Sequence, residues 1–205
     1  MIGLRALHRE PGEDLKAIRY HAEYSTMFTY ALGGSAELRL LEPHQAEEFY
    51  ALVDANRARL RAFLPWVDGT RGPEDVRAFI GKALEQYAGR LGFHAGIWTG
   101  GRAAGCIGMH PIDWNNRGVS LGYWIGEEHQ GKGLVTAACR AVIRECFETY
   151  GLHRVEIRCS SMNTRSCAIP GRLGFHREGT MRHAQKLASG WTDIEVFSLL
   201  NRAES

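Results

Sequence analysis

LGYWIGEEHQGKGLVTAACRAVIRECFETYG, residues 121–151, opens on an apolar run, crosses two glycines and a lysine, and ends in a long amphipathic stretch. Val135, Cys139, Val142, Ile143, Cys146, Phe147 and Tyr150 recur at helical spacing, so the chain's longest helix is expected within 131–151. The run before it, VSLGYWIG, reads as a strand. At such a strand-to-helix junction glycines let the backbone come close to an anion, and the unpaired N–H groups and dipole of the helix start favour negative charge. A P-loop is excluded, because Lys132 precedes Gly133 and no Ser or Thr follows the lysine. A dinucleotide fingerprint is excluded because Val135 and Thr136 follow where a third glycine belongs. Taken alone, the turn suits an anion site and a plain connection equally well.

The surroundings give an α/β pattern around a mixed sheet. Downstream, HRVEIRCS alternates Val155, Ile157 and Cys159 against Arg154, Glu156 and Arg158, the mark of a strand with one wet face. NTRSCAIPGRLG is expected to form a short helix broken at Pro170-Gly171, and WTDIEVFSLL a final strand. Upstream, FHAGIWTGGRAAGCIGMHPI reads as two strands joined by a two-residue turn at Gly100-Gly101, with DWNNRG as the next turn. AELRLL is a short strand. PHQAEEFYALVDANRARLRAF reads as one helix with Pro43 at its start, and a second helix begins at Pro73-Glu74-Asp75.

Composition narrows the classes. A chain of 205 residues, 44% hydrophobic, holds one domain with a sizeable core. A net charge of +2 with scattered arginines gives no nucleic-acid footprint. No apolar run reaches the ~20 residues of a membrane span, and the charged start MIGLRALHREPGEDLK lacks the apolar core of a secretion signal. Five cysteines without C-x-x-C spacing read as reduced, mostly buried thiols of a cytoplasmic protein. Nine histidines without H-E-x-x-H or similar spacing give no expectation of a metal.

Gln130-Gly131-Lys132-Gly133-Leu134-Val135, preceded by Tyr123-Trp124-Ile125 and followed by Asn163-Thr164-Arg165-Ser166 and Leu173-Gly174-Phe175, resembles the GNAT acyltransferase superfamily. Within it the chain is similar to the RimJ/RimL branch of ribosomal-protein N-acetyltransferases. FLPWVD (63–68), FIGKAL (79–84), GMHPIDWNN (108–116) and RVEIRC (154–159) agree, over roughly residues 27 to 200. The resemblance implies a mostly antiparallel sheet flanked by helices, with a splayed strand pair that holds acetyl-CoA. It implies that the loop Gln130, Gly131, Lys132, Gly133, Leu134 and Val135 grips the pyrophosphate through the backbone N–H groups of Gly131, Gly133 and Val135. The strand around Trp124 and Ile125 would pair with the pantetheine arm, and Asn163 and Ser166 would lie near the thiol.

Acetyl transfer to an amine needs a neutral amine, a stabilised oxyanion and a proton for the leaving thiolate. A backbone N–H near Ile125 is expected to polarise the thioester carbonyl, an effect of roughly 3 kcal/mol per donor. No covalent intermediate is needed, so Cys159 and Cys167 read as structural. Many relatives carry a tyrosine seven positions after the asparagine as the acid. Here that position is Pro170, and the resemblance points to Ser166 instead, unless that hydroxyl only caps the helix. A glutamate of this branch aligns with Gln185, and an amide accepts no proton at neutral pH. His110 and His183 are the candidate bases, with Asp68 and Asp193 behind them.

Trp66, Asp68, Trp114 and the region of Trp191 are expected on the acceptor side with His110, His183 and Gln185. An α-amine, with a pKa near 8, needs a base less than a lysine near 10.4. The acceptor is therefore read as a protein N-terminus, by family a ribosomal protein. The alternatives are a small amine such as an antibiotic or aminoacyl conjugate, or a non-catalytic acyl-CoA-binding module in which Gln185 marks lost chemistry. A homodimer is compatible with the resemblance, although the sequence marks no pairing surface. Residues 1–26 have no counterpart in the family and read as an added segment or an upstream start. They are expected to pack weakly, leaving 27–205 as the single acetyltransferase domain.

Overall fold

The computed structural model describes residues 29–201, so the expectation for residues 1–26 lies outside the described residues. Eight strands form one sheet in the order β1-β2-β3-β4-β5-β6-β8-β7. They are β1 (Thr29–Gly33), β2 (Ala36–Leu40), β3 (His94–Thr99), β4 (Arg102–Met109), β5 (Gly118–Ile125), β6 (Arg154–Ser160), β7 (His176–Leu187) and β8 (Gly190–Leu200). Every pairing is antiparallel except β5 with β6. Helices α1 (Ala46–Ala55), α2 (Arg57–Leu60) and α3 (Pro73–Ala88) lie in the first half, and α4 (Leu134–Glu148) and α5 (Thr164–Arg172) in the second. The expected α/β fold with a mixed, mostly antiparallel sheet is present.

The two faces of the sheet follow from alternation along its central strands. Ile107, Met109, Val119 and Leu121 share a core with Ala138, Cys139 and Val142 of α4. Cys106 instead packs with Phe49 of α1 and with Val76 and Ile80 of α3. The β3–β4 hairpin turns at Gly100 and Gly101, whose φ values of +56° and +75° are those of the two-residue turn expected there. All five cysteines are free, four of them buried.

Three local expectations are corrected. The helix expected over 43–63 is a short 3-10 turn followed by α1 and α2, broken at Asn56. Asn56 is 6% exposed, and its side chain takes over hydrogen bonds that a continuous helix would not make. Its Nδ2 donates to Leu52 O (2.9 Å), and its Oδ1 accepts from the backbone N–H of Glu127 (2.8 Å), just after β5. Nearby, Arg59 donates to the carbonyl of Ile125. The break thus fastens the α1–α2 unit to the end of β5. Asn56→Ala leaves the part-buried Glu127 N–H without its acceptor and removes the tie to Leu52, and is expected to cost about 2 kcal/mol, a fall in Tm of about 4–8 °C. Asn56→Asp keeps the acceptor and should lose less; equal thermal shifts for the two variants would refute this role.

The second correction is α5, which runs through Pro170 and is not broken there. A proline inside a helix frees the carbonyl four residues earlier, that of Ser166. Tyr123 fills the gap, donating its hydroxyl to Ser166 O at 3.2 Å. The third is β7, an edge strand of twelve residues, nine of them exposed, in a stretch not expected to be a strand.

Candidate active site

β5 and β6 run together only from Gly118↔Arg154 to Leu121↔Ile157. Beyond that point β5 stays with β4 as far as Ile125, while β6 stays with β8 as far as Ser160↔Ile194. The two strands therefore part into a V whose β5 arm is Gly122–Ile125, with backbone groups turned to the gap. This is the splayed pair that the resemblance implied.

The loop closing the open end combines left-handed glycines with a helix start. Gly131 and Gly133 have φ of +72° and +76°, in the left-handed region, and an added Cβ on either would meet nothing within 4 Å. Gly133 is the N-cap of α4, and the first amide of the helix to reach a backbone carbonyl is that of Ala137, on Gly133 O (3.0 Å). The amides of Leu134, Val135 and Thr136 thus form the N-terminus of α4, where the helix itself offers them no carbonyl. Lys132 is exposed beside them, and Gln130 is tied to α5 through Arg165.

On the other arm of the V, just past the end of β6, Asn163 caps α5, its Oδ1 accepting from Ser166 N at 3.1 Å. Ser166 is not the cap. Its hydroxyl donates to the Tyr123 hydroxyl (3.3 Å), and Tyr123 in turn binds Ser166 O. Burial pushes the Tyr123 phenol well above its ordinary range, so it stays protonated. The sequence reading missed Tyr123 as a functional group, because the contact spans 43 residues and depends on the carbonyl freed by Pro170. Cys159 and Cys167 lie against each other, Sγ to Sγ 3.0 Å, and burial raises the Cys159 thiol.

On the α1–α3 face the V opens into a cavity of about 850 Å³. Of the expected acceptor-side residues, Trp66, His110 and Gln185 line it, as do Trp124, Asn163 and Ser166. Asp68, Trp114 and His183 are not among its walls. Asp68 pairs with Arg61 (3.0 Å), and Trp114 donates to Arg90 O (3.1 Å) and stacks on Tyr150. His183 sits in an irregularity of β7 with φ of +46°, its N–H held by Asp193 Oδ1 at 2.8 Å. Trp191 is 60% exposed.

Two imidazoles stand over glycines of β4 and β5. A Cβ on Gly108 would lie 2.0 Å from the His94 ring, and one on Gly122 would lie 3.2 Å from His110 Nε2. Burial, with His110 adding to it, lowers His94 to about 4. Desolvation, and then the charge of Arg158, lowers His110 below its usual 6.5. Both rings are therefore mainly neutral at pH 7, the form in which an imidazole accepts a proton.

Comparison with known proteins agrees with this geometry. The family model for the acetyltransferase (GNAT) domain matches residues 36–176. A Bacillus subtilis protein, YdaF, named for ribosomal N-acetyltransferase activity, is 37% identical over 177 residues, covering 86% of this chain and 97% of its own length. The ribosomal-protein-serine acetyltransferase of Escherichia coli is 26% identical over 171 residues, covering 83% and 95%. Among solved structures, the microcin C7 self-immunity acetyltransferase MccE, in complex with acetyl-CoA and AMP, superposes with a TM-score of 0.78 at 27% identity, over 83% of this chain and 94% of its own.

Proposed function

The chain belongs to the GNAT acetyltransferase family, and from that premise we propose that it acetylates the N-terminal α-amine of a protein. It is an acetyl-CoA-dependent N-acetyltransferase of the RimJ/RimL type. The observation that carries the finer reading is the neutral His110 in a cavity joined to the V. An α-amine near pKa 8 needs only such a modest base, whereas a lysine near 10.4 asks for more. The Escherichia coli enzyme is named for a ribosomal-protein serine and YdaF for ribosomal N-acetyl transfer, which supports a ribosomal acceptor here.

In this reading the backbone of Gly122–Ile125 orients the pantetheine arm, and the N–H near Ile125 stabilises the developing oxyanion. The loop from Gln130 to Val135 holds the diphosphate, and Asn163 fixes the start of α5. His110 removes the amine's proton. Ser166 turns its hydroxyl from Tyr123 to the departing thiolate and gives up its proton, and the proton taken by His110 returns to Ser166 through solvent. Acetyl-CoA supplies the activated acetyl group. Trp66 and Gln185 face the acceptor. His183 and Asp68 remain outside the proton path, and residues 27–205 make up the working domain.

The test is acetyl transfer to Ser-, Ala- and Met-starting peptides, a peptide whose only free amine is a lysine, and a set of small amines, read by mass spectrometry. Acetylation of α-amines with little on the lysine peptide or the small amines is the expected result. Modification of small amines alone would transfer the assignment to a detoxifying or biosynthetic enzyme.

A further inference from the structure

Large apolar side chains standing in water at the mouth of a cavity are matched to an apolar occupant. Trp66, Phe79 and Met181 are 42%, 42% and 46% exposed, and all three line the cavity. They come from three separate elements: the 3-10 turn Pro65–Gly69, α3 and β7. Trp66 also leans on Trp124 of the V, ring centroids 6.0 Å apart, so the apolar mouth is continuous with the reacting end.

The charge lining points the same way. Among the described residues, the carboxylate, guanidinium and imidazole groups on the cavity wall are Asp75, Arg158, His94 and His110. Asp75 is committed to the start of α3, its Oδ2 accepting from Arg71 N (2.7 Å) and Gly72 N (3.0 Å). Arg158 is paired with Glu156 at 2.7 Å. Both imidazoles favour their neutral form. A second ammonium group on the acceptor would lose its water here and find no uncommitted carboxylate.

We infer that the acceptor is a primary amine whose own residue bears a large apolar or aromatic side chain, seated against Trp66, Phe79 and Met181. This deepens the α-amine reading above and rests on it. It sets the chain apart from the serine acceptor in the name of its Escherichia coli relative. Polycationic amines are excluded by the same wall.

Steady-state transfer from acetyl-CoA to pentapeptides that differ only in their first residue (Phe, Leu, Ser or Gly), and to spermidine, tests the proposal. Phe and Leu peptides are expected to exceed the Gly peptide in kcat/KM by on the order of tenfold to a hundredfold, the effect of burying one such side chain. Spermidine should fall on the order of a hundredfold below the Phe peptide. Phe79→Ala and, from a different element, Trp66→Ala should each cut the Phe-to-Gly ratio several-fold, with a melting curve showing that the variant is folded. Equal or better use of Ser or Gly peptides, or a ratio unmoved in both folded variants, overturns the proposal and leaves the α-amine reading standing, whereas competitive use of spermidine overturns the proposal and counts against the α-amine reading as well. Absence of transfer to every amine overturns that reading, and this inference with it.

Discussion

His110→Gln is expected to lower kcat/KM by about a hundredfold at neutral pH, within the range that general bases contribute. The more telling result is the pH profile. His110 acts as a base only when neutral, and desolvation and Arg158 hold its pKa below 6.5. Its contribution is therefore present at neutral pH and is lost as pH falls through the lowered value. The α-amine must also be neutral, and its own pKa lies near 8. Two protons thus oppose the reaction in acid and one between pH 6.5 and 8. The logarithm of kcat/KM should rise with a slope of about 2 in acid and about 1 at neutral pH. In His110→Gln the steep limb should disappear, leaving a slope of about 1 throughout. A variant that keeps the slope of 2, or loses less than about threefold in rate, would show that His110 is a wall residue and not a base.

That prediction rests on a juxtaposition of distant residues, and such juxtapositions mark where sequence reading ran out. Local patterns were legible. Gly100-Gly101 between two apolar runs signalled the β3–β4 hairpin, and the face from Val135 to Phe147 signalled α4, which buries Ala138, Cys139, Val142, Ile143 and Cys146. The loop between β5 and α4 was legible because its glycines are required by backbone geometry and not by a distant partner. β7 was not legible: an edge strand with nine of twelve residues exposed carries no alternation of apolar and polar positions.

Asn56 and Pro170 misled for a related reason. Each breaks a local rule, and each is reconciled by a partner far along the chain, Glu127 for the first and Tyr123 for the second. The pairing of His94 and His110 with Gly108 and Gly122 belongs to the same class. His110 was singled out as the base by its chemistry alone, with His183 named beside it as a further candidate. Only the register of the sheet, which sets His183 in the β7 irregularity and His110 on the cavity wall, separates the two.

The diphosphate cradle gives a result of similar size. Gly133→Val is expected to weaken acetyl-CoA binding by on the order of tenfold to a hundredfold with a smaller effect on the fold. Two costs are combined and can be taken apart. The φ of +76° disfavours any side chain, and more so a β-branched one, which strains the loop by about 1–2 kcal/mol. A Cβ at this position clashes with no protein atom, since nothing lies within 4 Å. The added side chain would project into the open space around the loop, which the proposed anion would share. Acetyl-pantetheine, which lacks the diphosphate, separates the terms. It never uses that space, so its kcat/KM should fall far less than that of acetyl-CoA in Gly133→Val. Equal losses with the two donors would mean that the glycines serve only the chain's turn into α4, and that the helix N-terminus does not hold the donor.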